Sequence, residues 1–255
     1  MPQSDASKCQ RCSNYTAVGN FCANISENQL NELSKNSCTT TLKRGESINA
    51  DILENWPVIS VSSGVISMQH LLEDGRKTIS AFFMQGDIID LRGISERHRG
   101  QLVALGKTKI CRLSPNVFTE IFDDNPNAQR IVWDNLREQT YRAMDHSADL
   151  AKKHALEKLA SFVFECRRRQ IVSIADDLVT IPVRRVDLAE YLGMQPETVS
   201  RCFKDLEERG IIKFNTISNL KILKIPTLRR IANGDQQADA PQLENSRKFK
   251  VLSFG

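Results

Sequence analysis

Several features that would place a protein in a membrane, in the secretory pathway or among the common enzyme classes are missing from this sequence. None of the apolar runs in its 255 residues is long enough to cross a lipid bilayer. Residues 1–8 lack the apolar core of a secretory signal. There is also no glycine-rich phosphate loop and no nucleophile paired with a general base. We therefore expect a cytoplasmic protein that has no membrane partner and is not an enzyme.

Histidine is scarce, and the cysteines do not form an even set. The four histidines show none of the spacings of a metal site. The seven cysteines are an odd number, and disulfides are rare in a reducing cytosol. Metal ligation or thiol reactivity is therefore the expected role for cysteines that are not simply core residues.

Positive charge is concentrated in the C-terminal part of the chain. Residues 151–230 carry 16 Lys and Arg against 10 Asp and Glu, a net charge of +6, although the whole chain has only +4. The remainder is therefore slightly acidic. A basic segment beside an acidic remainder fits a separate DNA-binding domain, because phosphate contacts dominate the affinity of such domains.

Residues 186–211 carry the most informative pattern in the chain. Two short amphipathic helices joined across Gly193 predict a helix-turn-helix, whose second helix enters the DNA major groove. Pro196 suits the first turn of that second helix, because its missing N–H would have no helical partner there. Val199, Phe203 and Leu206 follow at spacings of four and three, so they should face the interior.

The other face of the second helix is polar. Glu197, Ser200 and Arg201 are spaced three and four apart and therefore share that face. Arginine can bridge O6 and N7 of guanine, glutamate can accept from the amino group of cytosine, and serine can contact several bases. These residues are predicted to read DNA bases, although taken alone the pattern would also fit a solvated surface helix.

A β-hairpin wing is predicted after the second helix, with its turn around Ser218 and Asn219. Lys213 and Lys221 on its strands are candidates for phosphate contact, as is Lys224. The alternative is that these lysines form an ordinary solvated surface.

Short strands broken by glycine dominate residues 38–113. The Asp-Gly pair at residues 74–75, between two apolar runs, is a strong hairpin signal. Many short strands at this spacing predict a small antiparallel barrel or jelly roll. Together with the C-terminal helices, they make the expected fold class α+β.

A long helix is predicted over residues 126–154. Its apolar residues Val132, Leu136, Ala143 and Leu150 follow a spacing compatible with heptads, interrupted by polar positions. This stripe predicts the seam of a homodimer, as expected for a DNA-reading protein that binds two half-sites. The alternative is that the stripe packs on the barrel, and a long helix can do both on different faces.

These patterns predict an order of five segments along the chain. They are a cysteine-rich N-terminal segment (1–23), a sensory β-barrel domain (24–124), a dimerisation helix (125–154), a winged helix-turn-helix DNA-binding domain (155–233) and a flexible tail (234–255).

A strand-rich domain, a long helix and a winged helix-turn-helix, in that order, resemble the Crp/Fnr family of bacterial transcription regulators. The segment 190–201, Glu-Tyr-Leu-Gly-Met-Gln-Pro-Glu-Thr-Val-Ser-Arg, and the segment 153–169 are most similar to the Fnr, oxygen-responsive branch. The resemblance implies a cyclic-nucleotide-binding type of barrel and homodimeric binding to an inverted repeat of TTGAT-like half-sites. It also implies RNA polymerase as a partner, with the hairpin at residues 73–76 as a contact.

The barrel departs from the nucleotide-binding members of this family. Gly86 and Asp87 match the turn before their phosphate cassette, but residues 91–100 do not contain the Arg-Ser-Ala stretch that cradles the phosphate. Cyclic nucleotide is therefore not expected as a ligand, although Arg97 and Arg99 supply positive charge in this segment.

Four cysteines resemble the cluster ligands of the Fnr branch. Cys9, Cys12, Cys22 and Cys111 match the thiolate set that holds an oxygen-labile [4Fe–4S] cluster there. Cys22 departs from the pattern, because nine residues separate it from Cys12, although a flexible loop can absorb extra length. A zinc site would also use thiolates, but tetrathiolate zinc usually shows two close pairs. Redox-active thiols, or a cluster-free regulator like the FixK and Dnr branches, would also account for these cysteines.

The remaining cysteines are expected to act separately. Cys38 is expected as a small buried residue of the first strand, and Cys166 as a core residue. Cys202 is expected to be a neutral structural cysteine. The alternative is that Arg201, which precedes it, lowers the pKa of its thiol and opens it to oxidation.

The resemblance also implies how a signal would travel. An intact cluster would stabilise pairing of the long helices, and its loss would release DNA. The aspartate that discourages pairing in Fnr aligns with Ala143 here. Tighter pairing, with control exerted on the orientation of the DNA domain, is therefore the alternative.

Overall fold

The computed structural model describes residues 7–10, 12–16, 20–48, 54–92, 100–169 and 178–235. The chain begins with two one-turn helices, a 3₁₀ turn (Phe21–Asn24) and a longer helix: α1 (Ser7–Gln10), α2 (Ser13–Thr16) and α3 (Glu27–Lys35). Ser26 starts α3 with a capping box. The Ser26 side chain accepts a hydrogen bond from the Gln29 N–H, and the Gln29 side chain accepts one from the Ser26 N–H. The predicted tail and the segment containing Arg97 and Arg99 lie outside the described residues, except for Gly234 and Asp235.

Two antiparallel sheets form the N-terminal domain, which confirms the predicted jelly-roll barrel. Their strand orders are β1-β7-β2-β5 and β4-β3-β6. Side chains from both sheets, including Ile59, Ile66, Leu102 and Ile110, fill the space between them. The strands are β1 (Ser37–Leu42), β2 (Val58–Ser63), β3 (Val65–Leu71), β4 (Lys77–Met84), β5 (Ile88–Asp90), β6 (Gln101–Ala104) and β7 (Thr108–Leu113).

Two helices follow the barrel, α4 (Pro115–Asp124) and α5 (Pro126–Lys152), the predicted long helix. Asn125 caps α5, because its side chain accepts from the N–H groups of Asn127 and Ala128. The first turns of α5 bury Ile131 and Val132 in a cluster shared with α4 and the barrel, here called the α4–α5 core, which also contains Phe21, Leu33, Val58, Ile88, Leu113, Phe118, Ile121 and Ala128. No helix in the described part of the chain is long and apolar enough to cross a membrane.

The C-terminal part is a winged helix-turn-helix, as predicted. A three-stranded sheet of order β8-β10-β9 packs beside its helices. The elements are α6 (Ala155–Arg169), β8 (Leu178–Thr180), α7 (Arg185–Leu192), α8 (Pro196–Glu208), β9 (Ile212–Phe214), β10 (Asn219–Ile222) and α9 (Ile225–Ala232).

Strand β8 and helix α9 were not predicted from the sequence. Strand β8 is only three residues long and gains its structure by pairing with β10. Helix α9 starts at Ile225, directly after the wing, with Pro226 in its first turn.

The barrel and the winged helix-turn-helix share one apolar core. Phe82 of β4 lies 4.5 Å from Tyr191 of α7, measured between ring centroids. Tyr191 also stacks on His146 of α5, and the centroids of these two rings are 3.8 Å apart. Burial lowers the pKa of His146 and raises that of Tyr191, so both rings are neutral near pH 7.

Ion pairs reinforce the junction, and those of Asp87 are largely buried. Arg44 of the β1–β2 loop contacts Asp187 of α7 at 2.7 Å. Asp87 contacts Arg142 of α5 at 3.1 Å and also pairs with Arg169 of α6. The structure uses Arg169 to join α6 to the barrel, and Arg168 pairs with Glu138 of α5 at 2.7 Å.

Candidate functional site

The turn between α7 and α8 depends on a glycine. Gly193 caps α7 in the left-handed conformation, with φ of +62°, and its N–H bonds to the Ala189 carbonyl. Residues with a side chain rarely adopt this conformation, so glycine suits the position. Pro196 then occupies the first turn of α8. The local sequence thus sets the angle at which α8 leaves the turn.

Helix α8 has the two faces that its sequence predicts. Val199 and Leu206 are fully buried and Phe203 is 2% exposed, so this side packs into the core of the domain. Glu197, Ser200 and Arg201 are exposed on the outer side. The predicted base-reading residues are therefore accessible, and their role in reading bases stays a prediction.

Hydrogen bonds position two of these outer side chains. The Arg201 guanidinium donates to Thr198 Oγ1 at 3.2 Å. The Ser200 hydroxyl donates to the Pro196 carbonyl at 3.0 Å, leaving its oxygen free to accept. Thr198 was not predicted as a site residue, although its position one turn before Arg201 was a usable signal.

The wing carries two exposed lysines side by side. Lys213 of β9 and Lys221 of β10 are direct cross-strand partners. Like charges in this position destabilise a sheet unless an anion lies between them. That arrangement suits the predicted contact with phosphate. Lys224 differs, because its ammonium donates to the Arg209 carbonyl at 3.1 Å and so ties the wing to the end of α8.

The surroundings of Cys202 do not activate its thiol. Cys202 lies on the buried side of α8, 9% exposed. Burial raises its pKa, the Asp205 carboxylate adds to the rise, and Arg201 opposes it. The raised pKa agrees with the expected neutral structural cysteine and contradicts the redox alternative, because α8 turns the thiol inward, away from the arginine side of the helix.

The fold brings the four predicted ligand cysteines together. Burial raises the pKa of Cys22 far above its ordinary value, and the nearby Cys111, Cys9 and Cys12 thiols raise it further. Burial likewise raises the pKa of Cys111 to about 12, with smaller contributions from Cys9 and Cys12. Cys111 is 89 residues from Cys22 in the chain, so only the tertiary structure creates this group.

Specific contacts dock the N-terminal cysteine segment on the barrel. The Asn14 side chain is buried and donates to Ser60 Oγ at 2.8 Å and to the Val61 carbonyl at 3.1 Å. The Cys12 thiol lies 3.7 Å from Ser62 Oγ. Ser60 is in turn the β2 neighbour of Cys111 in β7. Cys12 and Cys111 are therefore both held at β2.

The spacing of the thiols bears on what they can hold. Among the described residues, no three His, Cys, Asp or Glu side chains are arranged to hold a single metal ion. A zinc ion needs all its sulfurs about 2.3 Å from one centre. A four-iron cube binds each thiolate through a different iron, so its ligands stand further apart. In the part of the chain that the structure describes, these thiols are neighbours but are not arranged around one metal ion.

Cys38 is not the buried residue that the sequence analysis expected. It is exposed on β1, the outer strand of its sheet, and Arg112 lies 3.0 Å from its sulfur. The expectation was wrong because the side chains of β1 near Cys38 face solvent. Cys166 is buried, as predicted.

The four predicted seam residues have different surroundings in the chain. Val132 is buried in the α4–α5 core and Leu136 packs at its edge. Ala143 is exposed, and Leu150 is 40% exposed. Trp133, next to Val132, is 59% exposed, so the open apolar stripe begins one residue later than the sequence pattern suggested.

Comparisons with known proteins agree with this architecture. The family model for a Crp-like helix-turn-helix domain matches residues 157–231. FixK of Bradyrhizobium diazoefficiens is 29% identical over 80% of this chain and 85% of its own. FixK of Azorhizobium caulinodans is 31% identical over 68% and 71%. The fumarate and nitrate reduction regulatory protein of Salmonella typhi is 23% identical over 83% and 86%.

A solved structure extends the likeness to the fold. FixK2 of Bradyrhizobium japonicum superimposes with a TM-score of 0.64 and 27% identity, covering 77% of this chain and 96% of that protein. The chain belongs to the Crp/Fnr family of transcription regulators, and it is a DNA-binding regulator rather than an enzyme.

Proposed function

We propose that this regulator binds, as a homodimer, an inverted repeat of half-sites resembling TTGAT, with α8 of each subunit in the major groove. The observation that carries the proposal is the outer face of α8. Glu197, Ser200 and Arg201 are exposed there, while the inner face is fully packed. A rigid helix presenting these groups can read base edges directly. Two such helices, one helical turn apart, match the symmetry of an inverted repeat.

The exposed stripe of α5 supports the dimer. Its positions alternate by three and four residues, the spacing of a coiled-coil seam. Thr140 and Ser147 make the seam only partly apolar, so pairing should be of moderate strength. The seam consists of Trp133, Leu136, Thr140, Ala143, Ser147 and Leu150.

An acidic residue in the seam tests the dimer. Ala143→Asp should raise the dimer dissociation constant at least tenfold, about 1.4 kcal/mol, because two carboxylates would meet in the seam. Ala148→Asp is the matched control, since Ala148 is exposed on the same helix outside the seam. Sedimentation velocity over a concentration series measures both. Equal dissociation constants for the two variants would argue against this seam.

Cys9, Cys12, Cys22 and Cys111 are the proposed sensing site, where they would hold a [4Fe–4S] cluster. When bound, such a cluster supplies reactivity toward oxygen. The protein's own residues tie the cysteine segment to the rest of the fold. Thiols bound at one site would hold the N-terminal segment against β2 and β7, because Cys111 belongs to β7.

The cysteine segment also contacts the start of the long helix. Phe21, next to Cys22, is 4% exposed and lies 5.1 Å from Phe118 of α4, measured between ring centroids. Asn125, the N-cap of α5, donates to the Asn24 carbonyl at 3.4 Å. Release of the segment would therefore loosen packing at the N-terminal end of α5, the end at which the seam begins.

The comparisons favour a second candidate, a regulator of the cluster-free FixK type. The FixK relatives are 29% and 31% identical to this chain, against 23% for the Salmonella protein. In that case the thiols would be structural or would respond directly to oxidants. The DNA-binding proposal is the same for both candidates, so the contents of the cysteine site decide between them. RNA polymerase stays the expected partner, and the β3–β4 hairpin exposes Leu71 and Leu72 at its tip.

Anaerobic purification with iron and sulfide assays separates the two candidates. We expect about four irons and four sulfides per chain. Their loss in air should accompany bleaching of the brown absorbance. Cys22→Ser should abolish the iron and sulfide content. Cys38→Ser, which removes an exposed cysteine outside the proposed set, should retain that content. A colourless wild-type protein after cluster reconstitution would reject the cluster.

A further inference from the structure

Arg185, the first residue of α7, lies over two aromatic rings that belong to different elements. Its guanidinium carbon is 4.7 Å from the ring centroid of Phe203 in α8 and 5.5 Å from that of Phe214 in β9. The two rings meet edge to face, with centroids 5.3 Å apart and planes inclined by 70°. A cation over the face of an aromatic ring is attracted by the electrons of the ring. Arg185 therefore joins α8 to the first strand of the wing.

The contacts between the wing and α8 converge on Phe214, the last residue of β9. Phe203 is 2% exposed, so the ring on the α8 side is fixed in the core of the domain. The Phe214 N–H also donates to Glu207 Oε1 of α8 at 3.0 Å. One ring contact, one hydrogen bond and the shared guanidinium of Arg185 thus hold the end of β9 against α8.

Phe214 is next to Lys213, one of the two paired lysines of the wing. Successive side chains of a strand point to opposite faces, so Lys213 points away from α8 when Phe214 packs toward it. Lys213 is exposed, and so is its cross-strand partner Lys221. The position of Phe214 therefore sets where both ammonium groups lie relative to the outer face of α8, which carries Arg201.

We propose that Arg185 is a positioning residue for DNA binding, which holds the wing lysines where they reach the backbone while α8 occupies the major groove. The inference rests on the proposed DNA-binding function and adds a residue that acts through the wing rather than by touching DNA. A displaced wing loses phosphate contacts, which supply affinity that does not depend on sequence. Loss of Arg185 should therefore weaken binding only as long as the wing lysines are present.

Arg185→Ala tests the proposal in two backgrounds, the wild type and the double variant Lys213→Ala with Lys221→Ala. Fluorescence anisotropy with an inverted repeat of TTGAT half-sites measures the affinity. In the wild type, Arg185→Ala should weaken binding about five- to tenfold, because wing contacts with phosphate are lost. Arg185→Lys keeps a cation near the rings and should recover part of this loss. In the background without wing lysines, Arg185→Ala should change the affinity by less than about twofold, because the effects of coupled residues are not additive.

Arg184→Ala is the matched control, because Arg184 is the exposed arginine directly before Arg185. Its effect on the affinity, whatever the size, should be the same in both backgrounds. Phe214→Leu provides a second variant in case Arg185→Ala does not fold, which circular dichroism reports. It removes the ring on the wing side, so it should weaken binding in the wild type and have little effect in the background without wing lysines.

Equal losses from Arg185→Ala in the two backgrounds would overturn the inference, because Arg185 would then touch DNA itself or act through another element. The inference also fails if Arg185→Ala binds as tightly as the wild type, or if replacing the wing lysines leaves the affinity unchanged. A wild type that binds the inverted repeat no more tightly than an unrelated duplex would instead count against the proposed function itself.

Discussion

Asp87→Asn is expected to lower the free energy of unfolding by about 3–5 kcal/mol, the cost of breaking a buried ion-pair network by removing one partner. Asp87 is 5% exposed and connects three elements. Its carboxylate pairs with Arg142 of α5 and Arg169 of α6 and accepts from the Met84 N–H of the barrel at 2.8 Å. An amide would leave two largely buried guanidinium groups, those of Arg142 and Arg169, with only the Glu165 carboxylate, 3.9 Å from each, as a counter-charge.

The effect should appear first as separation of the barrel from the winged helix-turn-helix. Arg169 also donates to the Phe82 carbonyl at 3.1 Å, so the network lies beside the contact between Phe82 and Tyr191. Urea unfolding followed by circular dichroism measures the total loss of stability, and limited proteolysis between α6 and α7 reports opening of the junction. Faster cleavage in the variant is the expected result.

Asp90→Asn supplies the control. Asp90 ends β5, and its partner Arg92 also donates to Thr119 of α4 rather than to the winged helix-turn-helix. Both side chains are partly exposed. Replacing Asp90 should lower the free energy of unfolding by about 1 kcal/mol or less. In addition, the double variant Asp87→Asn with Arg169→Met should lose less free energy of unfolding than the two single variants lose together. The reason is that the two side chains share one network. Additive losses, or equal losses for Asp87 and Asp90, would show that the network does not join the domains.

Arg201→Ala should remove sequence-specific binding with little effect on folding. Arg201 is exposed on α8 and its guanidinium bonds to Thr198 on the same helix, so no core contact is lost. A bidentate arginine–guanine pair contributes about 1–3 kcal/mol of discrimination, so specific affinity should fall roughly five- to 150-fold for each half-site contact that is lost. Binding to an unrelated duplex should fall much less, because non-specific affinity comes from phosphate contacts.

Lys204→Ala is the comparison for the loss of charge alone. Lys204 is exposed one turn further along α8, with Glu208 3.4 Å away. Its removal should weaken binding to specific and unrelated duplexes by similar factors. Fluorescence anisotropy at two salt concentrations distinguishes the patterns. If Arg201→Ala also weakens both duplexes equally, Arg201 contacts phosphate rather than bases, and the recognition face must be reassigned.

The local sequence determined the buried side and the start of α8, the helix predicted to read DNA. The spacing of Val199, Phe203 and Leu206 specified which side of α8 is buried, and Gly193 and Pro196 specified the turn and the start of the helix. These features depend on periodicity and backbone conformation, which a short segment expresses by itself. The same reasoning predicted the strands of the barrel and the long helix α5.

Patterns that depend on distant partners were less predictable. The sequence placed the seam at Val132, but the barrel covers that residue and leaves Trp133 open. Cys202 sits beside an arginine in sequence, yet the helix turns its thiol into the core, and its pKa rises. Strand β8 forms only because β10 supplies its hydrogen-bond partner.

The sequence by itself determined the family, the order of the elements and the two faces of the DNA-reading helix, because these follow from local spacing. Only the tertiary structure decided which distant groups meet. It brought Cys22 to Cys111, Asp87 to Arg169, and Arg44 of the barrel to Asp187 of α7. Such contacts join residues that are many tens of positions apart, and no local pattern specifies them, since they arise from the packing of whole domains.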